Sequence, residues 1–417
     1  MLKNWKFILP VFLLILLLVF RDVAAINISQ FIIFAIMFIS VALLPYHYGL
    51  FYTSFACGIV SGINAYFLIC AYLILLFKSR RLPTRLQILP LVLLLLVEFI
   101  DNAFNGSSIS VGEYLLFGSY LAIFFYYIFL NESPAIYRGI IVSFLIGLAV
   151  TLTLVSVGVI KNPQLLLMDE AIERGRMGFS GDLASTHFAL NANNIAYFSI
   201  TLLAFLLLGS KTLGLNRVMY FFLIIIAVLS GLLSQSRTWV IVLGISLILI
   251  MLLSNFKQKL TMMFAFTLIL LIVLYFSGDL MDVILSGLKV RFETEDIGTA
   301  GGRTDIFTRY NRFMMDNPRY IFTGTGTLNY REVANVANSC HNATQQLFVC
   351  YGLFGIILYS VIFRKTLLLR SRGITYANYI AAIVPVMFIQ SIQFLSPHYL
   401  MLPVAMSALV LRIPKHE

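Results

Sequence analysis

Four arginines in this apolar sequence have the residue type and the spacing expected of an anion-binding site. Arg174 and Arg176 lie in the stretch RGRMG, Arg237 lies in SQSRT, and Arg303 lies in GGRTD. An arginine beside a membrane span is costly, so it usually has an anionic partner or faces a water-filled cavity. Guanidinium groups that converge on one point would bind a phosphate or pyrophosphate, because their planar fork matches paired oxygens. The alternative for Arg237 is a side chain that only anchors the end of its helix.

His341 and Asn342 form a second polar feature, since they stand directly before an apolar stretch. A histidine can act as a base or orient a reacting group near neutral pH. An asparagine is a preferred residue for the N-terminal cap of a helix. The alternative is a plain helix start without a chemical role. Cys340 is not expected to act as a nucleophile with His341, because adjacent side chains seldom point the same way.

The elements that position these residues are predicted to be membrane-spanning helices. Of the 417 residues, 60% are hydrophobic and only 11% are charged, whereas a soluble domain has roughly 25% charged residues. The predicted fold class is therefore all-α, a polytopic membrane helix bundle of about 14 transmembrane helices, or about 12 to 13 if the tightest hairpins do not span. The candidate spans are 7–20, 28–44, 46–60, 63–77, 86–101, 113–130, 138–160, 188–208, 217–233, 238–254, 260–276, 343–363, 375–395 and 398–412.

The distribution of charge predicts the orientation of the bundle. The net charge is +11, and most basic residues fall in short loops that share one side if the N-terminus is cytoplasmic. The acidic residues on that side are Glu132 and Glu417. This asymmetry follows the positive-inside rule for membrane proteins. The spread of the basic residues over many short loops speaks against nucleic acid as a partner.

Two long polar segments are expected on the outer side of the membrane, and they divide the chain. Residues 1–276 are predicted to hold transmembrane helices 1–11, with a first outer loop at 161–187. Residues 277–342 are predicted to form a large periplasmic or extracellular loop that contains small helices. Residues 343–417 are predicted to hold the C-terminal transmembrane helices and a cytoplasmic tail.

The large outer loop contains two further recognisable stretches. Apolar spacing predicts a helix over 303–318 that ends at Pro318. FTGTGTLNY at 322–330 has glycines at phosphate-loop-like spacing, but it lacks the strand and helix of a nucleotide site and is interpreted as a turn. Three carboxylates surround a different outer loop, and solvated side chains are favoured over the lining of a sugar cavity: Glu98, Asp101 and Glu113.

Motifs for a cofactor or a metal ion are not evident in the sequence. It has no Walker motif, no dinucleotide motif and no DxD metal pair. Its four cysteines form neither a disulfide framework nor a paired metal site. We therefore expect that the protein uses no cofactor and no metal ion.

Taken in order, these stretches resemble the O-antigen ligase and polymerase family of bacterial membrane glycosyltransferases. SQSRT is followed by GGRTDIFTRYNRFMMDNPRYIFTGTG, and then by His-Asn, nine residues, Gly, two residues and Gly, all within 234–355. The segment RGRMGFSGDLASTHFALNANNIAY at 174–197 resembles the Arg-Gly to Asn segment that precedes them in the family. One departure is Leu183-Ala184, where the family often has a Pro-Asn pair.

The resemblance implies an enzyme of the bacterial inner membrane whose site faces the periplasm or exterior. Such an enzyme takes its glycan from a polyprenyl-pyrophosphate-linked oligosaccharide and contacts membrane lipids; whether a chain-length regulator protein is also a partner stays open. The resemblance implies His341 and Arg303 as catalytic residues. The implied pyrophosphate ligands are Arg237, Arg303, Arg176 and Arg174, and the implied supporting residues are Asn342 and Ser236.

Three alternative activities compete with polymerisation of lipid-linked repeat units. The O-antigen ligases share every stretch quoted above, and only the predicted span count favours a Wzy-type polymerase over a twelve-span ligase. A flippase or other transporter of lipid-linked oligosaccharides would show internal repeats and charges near the midplane, which are not evident. A peptidoglycan-type glycosyltransferase would usually rely on a carboxylate in the large loop, whereas this pattern centres on arginine and histidine.

Overall fold

The described part of the chain is almost entirely helical, which confirms the predicted all-α class for these residues. An antiparallel pair of two-residue strands, β1 (Met177–Gly178) and β2 (Ala189–Leu190), is the exception. In the computed structural model the described residues are 5–24, 26–59, 65–79, 85–105, 111–128, 130–161, 177–178, 189–190, 192–236, 239–241, 243–245, 303–340 and 342–363, with isolated positions between 248 and 289 and beyond 405.

The helices fall into a long series before the large loop and a short series within and after it. The first series comprises α1 (Trp5–Asp22), α2 (Gln30–Leu43), α3 (Tyr46–Gly58), α4 (Ala65–Ser79), α5 (Arg85–Phe104), α6 (Val111–Ile128), α7 (Pro134–Lys161), α8 (Ala192–Leu213) and α9 (Arg217–Leu233). The second comprises α10 (Arg303–Asp316), α11 (Arg319–Thr323), α12 (Tyr330–Val333) and α13 (Ala343–Phe363).

Helices lie where the first nine spans and the span 343–363 are predicted. Among the described residues, Pro134–Ile160 is the one helix that is both long and apolar enough to cross a membrane; several other apolar helices are shorter. The predicted spans 238–254, 260–276, 375–395 and 398–412 lie largely outside the described residues.

Helices α3 and α7 approach each other closely because glycines face each other at their contact. A Cβ atom added at Gly147 would lie 2.2 Å from the carbonyl oxygen of Phe55, and one added at Gly58 would lie 2.3 Å from that of Phe144. The Ser54 hydroxyl donates to the carbonyl of Ile140 across the same contact, at 2.8 Å. Small residues and hydroxyl-to-backbone bonds are the usual way in which membrane helices associate without help from water.

Helices α7, α8 and α9 are joined by a second set of small polar side chains. The hydroxyls of Ser156 and Ser230 are 3.0 Å apart. The Ser199 hydroxyl donates to the Ala227 carbonyl at 2.6 Å and accepts from the indole N–H of Trp239 at 2.8 Å. These buried bonds hold α8 and α9 together just before the SQSRT stretch.

Candidate active site

Helix α10 begins at Arg303, so the predicted helix over 303–318 is confirmed, although it ends two residues early at Asp316. The early end has a local cause, because a residue that precedes proline disfavours the helical conformation, and Asn317 precedes Pro318. The Asn317 side chain instead donates to the carbonyl of Phe313 at 2.9 Å. Arg303 is thus the first residue of α10, and Asp316 is the last.

Gln345 joins α10 to the start of α13. Its side-chain Nε2 donates to the carbonyl oxygen of Phe307 at 2.8 Å and to Oδ1 of Asn311 at 3.1 Å. Phe307 lies four residues after Arg303, and Gln345 lies four residues after His341. The contact therefore joins α10, the helix that begins at Arg303, to the start of α13, the helix that follows His341 in the sequence.

Asn342 caps α13, as its residue type predicts. Its side-chain oxygen accepts the backbone N–H of Gln345 at 2.9 Å, and its carbonyl accepts that of Gln346 at 2.9 Å. The first bond satisfies one of the N–H groups that the start of a helix leaves without partners, and the second is the first hydrogen bond of the helix itself. The preceding chain is also fixed, because the Tyr310 hydroxyl donates to the Asn338 carbonyl at 2.8 Å.

The remaining predicted site residues differ in how much the structure describes of them. Asn342 and Ser236 are described with their side chains, and the backbone of Arg303 is described. His341, Arg237, Arg174 and Arg176, and the side chain of Arg303, lie outside the described residues.

Ser236 belongs to a tight turn that follows α9. Gln235 has a φ of 46°, which is a left-handed backbone conformation that residues other than glycine rarely adopt. The Ser234 hydroxyl accepts the N–H of Ser236 at 3.3 Å, and the Ser236 hydroxyl accepts the N–H of Trp239 at 3.4 Å. Ser236 therefore acts as the cap of the next helical segment, and this structural role accounts for a serine at that position.

Helix α13 is interrupted at Gly352, where φ is 59° and ψ is −159°. At this break the carbonyls of Val349 and Cys350 accept the backbone N–H groups of Thr325 and Gly326, both at 2.9 Å. The stretch 322–330 thus packs its backbone directly against the broken helix. Such irregular backbone is tolerated at membrane depth only when protein surrounds it.

Glycine is required on both sides of this contact. Gly324 has a φ of 81°, and a Cβ atom there would lie 2.2 Å from the Cys350 carbonyl oxygen. A Cβ atom at Gly352 would lie 2.5 Å from the carbonyl carbon of Phe322. The spacing of Gly352 in the predicted His-Asn pattern therefore has a structural reason, since the residue both breaks the helix and admits the loop.

Glu98 of α5 anchors the same loop from the other side, and its side chain is fully buried. The N–H of Thr327 donates to both carboxylate oxygens at 2.8 Å, and the N–H of Leu328 donates to Oε1 at 2.9 Å. Nδ2 of Asn102 also donates a hydrogen bond to Oε1 of Glu98, at 2.9 Å. The stretch 322–330, which is interpreted as a turn from the sequence, is thus held by the Glu98 carboxyl group of the chain itself.

The interpretation of Glu98 and Asp101 as solvated carboxylates is wrong. Asp101 is 5% exposed, and its Oδ2 has no hydrogen-bond partner among the described residues. Asn105, at the end of the same helix, donates to the Thr325 carbonyl at 3.0 Å and accepts from the Tyr320 hydroxyl at 2.6 Å. A single sequence does not reveal these contacts, because the partners lie more than 200 residues apart in the chain.

Cys340 is buried beside the candidate site. Burial raises the pKa of its thiol above the ordinary value, and a hydrogen bond with Tyr310 only partly offsets this. A thiol in this state carries almost no thiolate at neutral pH and is a poor nucleophile. Within the described part of the chain, no cluster of three or more His, Cys, Asp or Glu side chains could hold a metal ion.

Comparison with known protein families gives a match that covers the contact between α10 and α13. The family model described as O-antigen ligase matches residues 221–360. The match confirms the predicted resemblance to the O-antigen ligase and polymerase family, whose members are membrane proteins. No curated protein and no solved structure matched the chain.

The matched segment contains five of the predicted site positions, including Ser236 and Asn342, and the contact between α10 and α13. Arg237, Arg303 and His341 all lie within 221–360, as do both partners of the Gln345 side chain. Arg174 and Arg176 lie before the matched segment. Glu98 also lies outside it, so the matched segment is anchored in part by α5 of the preceding helices.

Proposed function

We propose that the protein is a membrane glycosyltransferase that polymerises polyprenyl-pyrophosphate-linked oligosaccharide repeat units into O-antigen or another surface polysaccharide. The reaction would take place at the outer face of the bacterial cytoplasmic membrane. The observation that carries the proposal is the Gln345 contact, because it joins the helix that begins at Arg303 to the helix that follows His341. This contact lies inside the matched O-antigen ligase domain.

The chemistry needs little more than charge neutralisation and proton transfer. A hydroxyl oxygen of the acceptor sugar attacks the anomeric carbon of the donor, and the bond from that carbon to the pyrophosphate oxygen breaks. Arg237 and Arg303, with Arg174 and Arg176, would neutralise the charge that develops on the leaving polyprenyl pyrophosphate. His341 would accept the proton of the attacking hydroxyl or orient that hydroxyl. The leaving group is already attached to the sugar, so the reaction needs no nucleotide.

A ligase that transfers the finished glycan to lipid A core is the second candidate. The description of the matched family model as O-antigen ligase favours it. The two activities use the same donor and differ only in the acceptor. The predicted number of spans supports the polymerase.

Reconstitution of the purified protein with a lipid-linked repeat unit tests the proposal. A ladder of glycans of increasing length on a gel is the expected product. A single shift that requires added lipid A core would replace the polymerase by the ligase. Repeat units that only move to the opposite leaflet, without any new glycosidic bond, would overturn both and support a transporter.

A further inference from the structure

Gln345 has a buried hydrogen-bond acceptor that the protein itself leaves unused. The residue is 5% exposed, and its side-chain Oε1 has no partner among the described residues. A buried carbonyl oxygen without a partner is uncommon and costs stability, so it calls for an explanation. Gln345 contacts α10, the helix that begins at the predicted site residue Arg303, and it lies four residues after His341 in the sequence.

The orientation of the Gln345 amide is fixed by its other atom. Nε2 donates to the carbonyl oxygen of Phe307, which can only accept a hydrogen bond. A rotated amide would place two carbonyl oxygens against each other at 2.8 Å. The free atom is therefore the oxygen, and it can bind only a group that donates a hydrogen bond.

We infer that Oε1 of Gln345 accepts a hydrogen bond from a hydroxyl or acetamido N–H of the glycan during transfer. A neutral acceptor repels phosphate oxygens, so this atom does not belong to the pyrophosphate subsite. Sugars present the donors that it lacks, and binding would satisfy the buried oxygen. The inference rests on the proposed function, and it divides the site into an arginine part for the anion and a Gln345 part for the sugar.

The side-chain amide of Gln345 then has two roles. Its nitrogen holds the helix that starts at Arg303, and its oxygen holds the sugar at the start of α13. A site that hydrogen-bonds a substrate hydroxyl discriminates strongly against an analogue without it, because the protein group is then left unpaired. Gln345 is therefore expected to set specificity for one donor group of the glycan.

The test combines Gln345→Met with monodeoxy analogues of the lipid-linked repeat unit, including replacement of any acetamido group by hydrogen. In the wild-type protein, one analogue is expected to lose about tenfold to a hundredfold in kcat/KM relative to the parent repeat unit. Gln345→Met should process that analogue and the parent at equal rates. Analogues altered in the donor unit and in the acceptor unit are assayed separately, which shows which sugar is bound.

Asn311→Ala is the matched control. It removes the second partner of Nε2 but leaves Oε1 unchanged, so it should keep the wild-type discrimination between the analogue and the parent. A merely structural role of Gln345 would lower activity on every substrate alike. The inference would be overturned if Gln345→Met discriminated between the analogue and the parent as strongly as the wild type does. It would also be overturned if Asn311→Ala lost this discrimination as completely as Gln345→Met.

Two further outcomes keep the test decisive. If Gln345→Met does not fold, the wild type alone answers, since uniform activity on every monodeoxy analogue overturns the inference. A wild-type protein that forms no glycosidic bond with the parent repeat unit overturns the proposed function, and the role of Gln345 in it falls as well. An active wild type without analogue discrimination leaves the proposed function intact and removes only the inference.

Discussion

The contact between α3 and α7 and the contact between α13 and the glycine stretch 322–330 both depend on glycine, but they use it differently. Between α3 and α7, Gly58 and Gly147 lie in regular helices, and their lack of a side chain lets the two backbones approach closely. At α13, Gly352 leaves the helical conformation, and the carbonyls of Val349 and Cys350 accept hydrogen bonds from the stretch 322–330. The first contact builds a scaffold, whereas the second uses backbone groups of a helix to position a loop.

The two contacts also differ in charge. The α3–α7 contact is joined by neutral hydroxyls such as that of Ser54, which donate to backbone carbonyls. The loop at α13 is held by the buried carboxylate of Glu98, which accepts backbone N–H groups. Buried charge is expensive unless it is fully hydrogen-bonded, so the protein uses it where a particular loop conformation must be kept. This difference predicts that damage at α13 affects activity, while damage at α3–α7 affects only stability.

Gly352→Ala is expected to have the largest effect. Its φ of 59° is unfavourable for alanine, and the added Cβ meets the backbone of Phe322 at 2.5 Å. We expect a loss of about 3 kcal/mol in the free energy of unfolding and a loss of glycan transfer per folded molecule. Melting in detergent and the ladder assay measure the two effects. Gly244→Ala is the control, because no atom of the described residues lies within 4 Å of its Cβ position, and a comparable loss there would contradict this expectation.

Glu98→Gln should release the loop without changing the size of the side chain. One carboxylate oxygen becomes an NH₂ group that faces the N–H of Thr327, so a loss of about 2 to 3 kcal/mol in stability is expected. Hydrogen exchange of the peptide that contains 324–328 should become faster, and transfer per folded molecule should fall. Glu332→Gln makes the same chemical change at an exposed residue and should change neither. Unaltered exchange in Glu98→Gln would show that the carboxylate does not anchor the loop.

Gly147→Ala tests the scaffold side of the comparison. The added Cβ would lie 2.2 Å from the Phe55 carbonyl oxygen, so the helices must move apart at a cost of about 1 to 3 kcal/mol. Melting should occur at a lower temperature, while the folded fraction should keep its rate of glycan transfer. A variant that melts normally but loses activity would reverse the roles that we assign to the two contacts.

Asn342→Ala is expected to have the smallest effect on stability, about 1 kcal/mol, because it removes one helix cap. Asn342→Asp keeps the accepting oxygen and should retain most of the stability. The ladder assay on both variants then separates capping from any contact with substrate. Activity that falls in Asn342→Asp as far as in Asn342→Ala, at normal stability, would give Asn342 a role beyond the cap.

The sequence predicts helices better than it predicts the contacts among them. The apolar runs at 217–233 and 343–363 coincide with α9 and α13, since hydrophobic patterning is a local property. The break at Gly352 is not predicted, because the apolar run continues through it. Its cause is the loop around Gly326, whose bonding to Cys350 is visible only in three dimensions.

The candidate site shows the same division between local and distant causes. The cap by Asn342 and the end of α10 before Pro318 follow from residue type alone. The anchoring role of Glu98 does not, because its partner Thr327 lies 229 residues away. A buried carboxylate and a solvated one have the same sequence signature, so only the distant contact distinguishes them.

We propose that Arg303 and His341 act together in glycan transfer. The most direct measurement compares Arg303→Ala, His341→Ala and the double variant in the reconstituted ladder assay. Arg309→Ala and His47→Ala are the matched controls. Arg309 is 64% exposed and paired with Asp305 in the same helix, and His47 is exposed in α3.

We predict that each single variant abolishes glycan elongation at a normal abundance of folded protein, and that both controls elongate normally. The double variant should be no worse than either single variant, because residues that act as a unit do not have additive effects. Glycans of normal length and yield from Arg303→Ala or from His341→Ala would contradict the account.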